Sequence, residues 1–118
     1  MQLIKVGGRE FPTLFDTEVR NSYVVRSVAE LLAVSRVSPP LRTALGGQIG
    51  ASALLEAEIE GHLIFTHAFV VDRIGDDEHG RPIEILFGTL AMKQWGIRLV
   101  AGQRALDLSH YSEQFVEF

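Results

Sequence analysis

Phe11-Pro12-Thr13-Leu14-Phe15-Asp16-Thr17 is the stretch on which the fold turns. It is a short apolar run that ends abruptly in an acid and a hydroxyl. Runs of this kind, rich in aromatic and branched residues, read as strands. The Asp-Thr pair at its end reads as a turn, because an aspartate side chain bonds backbone amides one or two residues ahead. Taken alone, Asp16-Thr17 is therefore an ordinary strand-ending turn.

Reading outward, residues 1–6 form a strand, and Gly7-Gly8 supplies the positive φ that a tight hairpin requires. Residues 10–15 are its return. Residues 21–25 give a third strand. Ser27 with Glu30 has the spacing of a capping box and predicts a helix from Val28 to about Val34. Ser38-Pro39-Pro40 reads as a breaker. Gly46, Gly47 and Gly50 make residues 43–52 a mobile, turn-rich stretch. Residues 53–59 and 63–72 form a hairpin about Gly61-His62, with Glu56, Glu58 and Glu60 on its wet face.

Residues 75–82, rich in Asp, Gly and Pro, read as a surface loop. Residues 83–87 form a buried strand. Thr89 is the expected cap of a helix over residues 90–95, and Gly96 its terminating residue. Residues 97–100 and 105–108 flank a third hairpin, and residues 115–118 give a last short strand. Roughly eight short strands and two short helices predict a mostly β fold, a small closed barrel or sandwich. Around Asp16 and again around Gly88 the order strand, turn, strand or helix is echoed, without amounting to a sequence repeat.

The bulk properties narrow the function classes. A chain of 118 residues, 47% hydrophobic and 22% charged, suits one folded domain over residues 1–118. No apolar run approaches the ~20 residues of a membrane helix. There is no cysteine, which removes disulfides and thiolate chemistry, and no basic-then-apolar leader is visible. Both fit a cytoplasmic protein. A net charge of −4 with scattered arginines argues against nucleic acid as a partner. His62, His67, His79 and His110 lack the i, i+4 spacing of a helical zinc motif, so no metal is expected. The Asp76-Asp77-Glu78-His79 cluster reads as a solvated loop. Neither Gly-Gly pair has the context of a phosphate loop, so no cofactor is expected.

Three features, in order, carry a resemblance. Residues 11–17 resemble the active-site strand of retropepsin-like aspartic peptidases, where apolar residues run into Asp-Thr-Gly. Ile85-Leu86-Phe87-Gly88-Thr89-Leu90 is similar to that family's second signature, an apolar strand ending in a glycine before a short helix. Trp95-Gly96-Ile97-Arg98-Leu99 and the hairpin to Leu106-Asp107-Leu108 look like small bacterial members. The resemblance spans nearly the whole chain, and its specificity lies in the order of the motifs.

The resemblance implies a barrel-like acid-protease fold with two short helices. It makes Asp16 the catalytic aspartate and Thr17 the residue whose hydroxyl ties two active-site loops together across a dimer. Gly46 and Gly47 fall at a flap that closes over substrate. Leu86, Phe87 and Gly88 support the active-site loop beside the substrate, and residues 115–118 fall where subunits interlock. It implies a homodimer, because one carboxylate is not enough. Water is activated between an ionised and a protonated acid ~3 Å apart, which share one proton. Two-fold symmetry supplies the second Asp16.

One position departs from the family. Glu18 stands where Asp-Thr is followed by glycine. In a dimer two copies of Glu18 would lie near two copies of Asp16, and crowded acids raise pKa values or splay loops. Arg20, folded back, would offset part of that charge. Two readings follow: a homodimeric aspartic endopeptidase acting on peptide or protein substrates, and a non-catalytic dimer that binds peptides or partner proteins in the same groove, with Glu18 at its edge.

Overall fold

The computed structural model describes residues 2–43, 47–100 and 105–111. Strands dominate: β1 (Gln2–Val6), β2 (Arg9–Phe15), β3 (Ser22–Val25), β4 (Ala33–Arg42), β5 (Gln48–Ile59) and β6 (His62–Val71). Then come β7 (Gly75–Asp76), β8 (Pro82–Ile83), β9 (Ile85–Phe87), β10 (Arg98–Val100) and β11 (Ala105–Asp107). Two short helices are present, α1 (Arg26–Ala29) and α2 (Thr89–Trp95).

The main sheet has the order β1-β2-β9-β3-β6-β5-β4. A further pairing of β1 with β5, at Lys5 opposite Glu58, closes all but β4 into a barrel. Alternation explains the core. Ala53, Leu55, Ala57 and Ile59 of β5 point inward, while Glu56 and Glu58 face water. Ile4, Val6, Phe11, Phe15, Val24, Ile64, Ile85 and Phe87 fill the interior from the other strands. The mostly β, closed-barrel expectation with two short helices is met.

Local readings fared unevenly. The helix expected over residues 28–34 is only the four residues of α1, and Ser27 does not cap it. Ser27 lies within the helix, with its hydroxyl 3.4 Å from Glu84 Oε1. Ala33 and Val34 are taken by β4, opposite Leu54 and Ala53. Strand pairing here overrides a weak helical signal. Ser38-Pro39-Pro40 does not end the element either. The prolines sit inside β4, where the ladder to β5 shifts between Arg36 and Leu41. An edge strand tolerates residues that lack an N–H at such an irregularity. Of the stretch expected to be mobile over residues 43–52, residues 48–52 belong to strand β5 and residues 44–46 lie outside the described residues. Thr43 N–H donates to Gly47 O at 2.9 Å, and Gly47 N–H donates to Thr43 Oγ1 at 3.0 Å. Gly46 and residues 115–118 lie outside the described residues.

The strand expected over residues 83–87 is divided between β8 and β9, and the expected surface loop at 75–82 is a small hairpin of β7 and β8. Asp77 organises it. Its side chain is 4% exposed and accepts from His79 N–H, Arg81 N–H and Arg81 Nε–H at 2.8 to 2.9 Å. Burial pushes its carboxyl up, but these hydrogen bonds and the guanidinium together hold it below the usual value. A depressed folded pKa stabilises the hairpin above the unfolded value of about 3.9 and loses that contribution as pH falls through the folded value. The NMR shift of the Asp77 side-chain carboxyl carbon should therefore show its titration step below about pH 4. Asp77→Asn should remove that acid-dependent step.

α2 packs Ala91, Met92 and Trp95 into the core and ends at Gly96, whose φ of 68° is the left-handed value. The Trp95 indole N–H donates to Phe65 O at 2.8 Å, and the Phe65 ring meets the indole edge-on at 5.1 Å. Tyr111 also stacks on Trp95, with ring centroids 6.0 Å apart. Trp95→Phe keeps most of the apolar contact but strands that carbonyl. It should cost about 1–3 kcal/mol, read as a shifted urea midpoint.

Candidate active site

β2 and β3 are consecutive in the chain, yet they are not neighbours in the sheet. β9 lies between them, parallel to β2 and antiparallel to β3. The connection over residues 16–21 must therefore arch over the end of β9, and Asp16 and Gly88 meet there. Asp16 continues the ladder by donating its N–H to Phe87 O at 3.1 Å.

The first turn of α2 holds this arch. Thr89 N–H donates to Val19 O at 2.8 Å and Leu90 N–H to Arg20 O at 3.1 Å. Helix-opening N–H groups have no partner within their own helix, and here loop carbonyls provide it. That explains why Thr89, the expected cap, is the first helical residue and makes no cap; the cap position is Gly88, without a side-chain bond. Gly88 donates its own N–H to the buried Ser22 Oγ at 3.0 Å. A Cβ on Gly88 would lie 2.3 Å from Asn21 O and 2.5 Å from Arg20 O, so only glycine fits.

Within the arch, Glu18 N–H donates to Asp16 Oδ1 at 2.9 Å. One carboxylate oxygen is thus fixed by backbone, and the other takes no hydrogen bond from any described residue. The bond comes from the main chain, so the identity of residue 18 does not decide it. The side chains of Thr17 and Glu18 are exposed. Arg20 is also exposed and makes no ion pair with Glu18 within the single chain.

Asp16 shares a sheet face with Leu14, two residues earlier. On that outer face a row crosses the strands: Leu14 opposite Leu86, Leu86 opposite Tyr23, Tyr23 opposite Phe69, and Phe69 opposite Ser52. These apolar side chains are half-buried, and the Tyr23 and Phe69 rings lie 6.0 Å apart. A groove of about 740 Å³ opens beside the row, between α2 and the outer face of β5 and β6. Asn21 at the end of the arch, Ser52, Leu54, Phe69, Leu90 and Gln94 line it.

The structure brings Asp16, Thr17, Glu18, Leu86, Phe87 and Gly88 to one end of the barrel. Phe87 faces the core against Phe15, with ring centroids 5.0 Å apart, and not the outer face. Gly47 lies apart from them, at the far end of the arm that β4 and β5 form. Sequence reading missed Ser22, Tyr23 and Phe69. Alternation in residues 21–25 was the signal for the first two, but only the register reveals that Phe69 completes the row.

No family model matches the chain, and no curated protein matches it. Solved structures do. The retroviral protease-like domain of Ddi1 from Leishmania major aligns with a TM-score of 0.66 and 16% identity, over 91% of this chain and 85% of that one. The EIAV protease, in complex with the inhibitor HBY-793, aligns with a TM-score of 0.60 and 15% identity, over 84% of this chain and 89% of that one. With β9 set between β2 and β3, the arch over its end and a closed barrel behind them, the chain has the retropepsin-like fold.

Proposed function

We propose that this chain is a homodimeric aspartic endopeptidase in which Asp16 of each subunit contributes one carboxylate. The observation that carries the reading is the Asp16 carboxylate, oriented by Glu18 N–H at one oxygen and open at the other, beside an apolar row. In a two-fold pair the open oxygens face each other across a water. One acid is ionised and takes a proton from that water; the other is protonated and polarises the peptide carbonyl. The pair titrates as a unit. Thr17, exposed and without a hydrogen-bond partner among the described residues, is free to bond the partner loop. Leu14, Leu86, Tyr23 and Phe69 would receive apolar side chains of the substrate.

Glu18 supports a second reading, a non-catalytic dimer that clamps peptides in the same place. Two more carboxylates near the dyad would compete for its shared proton. Glu18→Gly separates the two, assayed by peptide hydrolysis between pH 4 and 7 with the dimer verified by sedimentation. On the peptidase reading the unaltered protein cleaves, and the variant shifts the pH profile. Hydrolysis only in the variant supports the binding reading. A monomer at assay concentration defeats both.

A further inference from the structure

The arm formed by β4 and β5 carries charge of one kind up to Leu55, and no ion pair among the described residues neutralises it. From Leu31 to Leu55 the only charged residues are Arg36 and Arg42, in a chain whose net charge is −4. Both are exposed on β4, and neither has an ion-pair or hydrogen-bond partner among the described residues. Their faces differ. Arg36 stands opposite Ala51, which shares the inward face of β5 with Ala53 and Leu55. Past the irregularity in the ladder, Arg42 stands opposite Gln48, and so on the face of Ser52. That is the face of the apolar row and of Asp16.

Arg20, exposed and likewise unpaired, lies on the arch three positions before Tyr23. β3 and β6 are parallel, and β5 runs against β6. Moving from Tyr23 toward Arg20 and from Ser52 toward Gln48 therefore leads away from the row in opposite directions. Gln48 lies four steps along β5 from Ser52, about 13 Å, and Arg20 lies on the arch two residues before β3 begins. An extended chain that crosses the row along the strand direction, its centre over Tyr23 and Phe69, thus runs toward Arg20 at one end and toward Arg42 at the other. The acids that share the arch end are Asp16, fixed by backbone, and Glu18; Glu84, which faces the Ser27 hydroxyl, precedes the opposite end of β9.

We propose that Arg20 and Arg42 make this site select peptides that carry acidic side chains flanking an apolar centre. The inference rests on the reading of the site as a peptide-binding one. A guanidinium grips a carboxylate through two parallel N–H bonds, and an unpaired surface arginine loses no existing ion pair in doing so.

The test uses the full-length Asp16→Asn protein, which keeps the site but not the hydrolysis, and fluorescence anisotropy. Two labelled peptides share one apolar centre; one is flanked by glutamates and the other by lysines. The glutamate peptide should bind at least about 10-fold more tightly, with the advantage shrinking as salt rises. Adding Arg42→Glu or Arg20→Glu should cut that ratio, and both together should reverse it. Equal affinities, or a ratio indifferent to both substitutions, overturn the selectivity while leaving a peptide site standing. Binding of neither peptide overturns the peptide-site reading itself, and this inference with it.

Discussion

On the proposed peptidase reading, Asp16→Asn is expected to lower peptide hydrolysis on the order of 10³-fold while leaving the fold and the proposed dimer intact. An amide oxygen still accepts the Glu18 N–H, so the arch keeps its shape. What is lost is the ionisable oxygen that removes a proton from water. Replacing it in both subunits leaves no base and no proton to share. The effect belongs in kcat, because the apolar row that would hold substrate is untouched. The measurement is steady-state cleavage beside a urea titration. A stable, dimeric variant that still cleaves would place the chemistry elsewhere.

The second large effect concerns stability. Gly88→Ala should cost about 3 kcal/mol, near the upper end for overpacking, because its neighbours are backbone and not flexible side-chain tips. A Cβ 2.3 Å from Asn21 O can be housed only if the arch lifts off β9. Lifting it strains the bonds from Thr89 N–H and Leu90 N–H and the one to Ser22 Oγ. Activity should fall with stability, since the same movement displaces Asp16. Gly50→Ala is the control: nothing lies within 4 Å of its Cβ, and its urea midpoint should barely change.

The parts of this architecture legible in the sequence are those governed by local chemistry. Gly7-Gly8, Gly61 and Gly96 each take positive φ, as their turn positions required. The row of Glu56 and Glu58 faces water as the alternation implied. What stayed hidden depends on partners far along the chain. Nothing in Ser27-Glu30 announces that β5 will claim Ala33 and Val34. Nothing near Pro39 tells that its strand lies at an edge, where a missing N–H is harmless. The candidate site divides the same way. Asp16, Thr17 and Gly88 stood out only because the motifs that hold them resemble, in their order, those of a known family; the strand-ending turn alone is ordinary. The Thr89 reading failed because the arch, 70 residues earlier in sequence, supplies carbonyls that leave the helix no need of a side-chain cap. Phe69 was invisible as a neighbour of Tyr23 until the parallel pairing of β3 and β6 was known.

That long separation between the arch and its support has a consequence for biogenesis. A growing polypeptide emerges with β2 and residues 16–21 first, and domains generally acquire structure as units. Until β9 and the opening of α2 have left the ribosome, Asp16 has no ladder partner, and the carbonyls of Val19 and Arg20 have no donors. Unfinished chains thus hold the acid but not the frame that aims it. On the peptidase reading proposed above, the cell would be spared a premature hydrolase tethered to its own translation machinery.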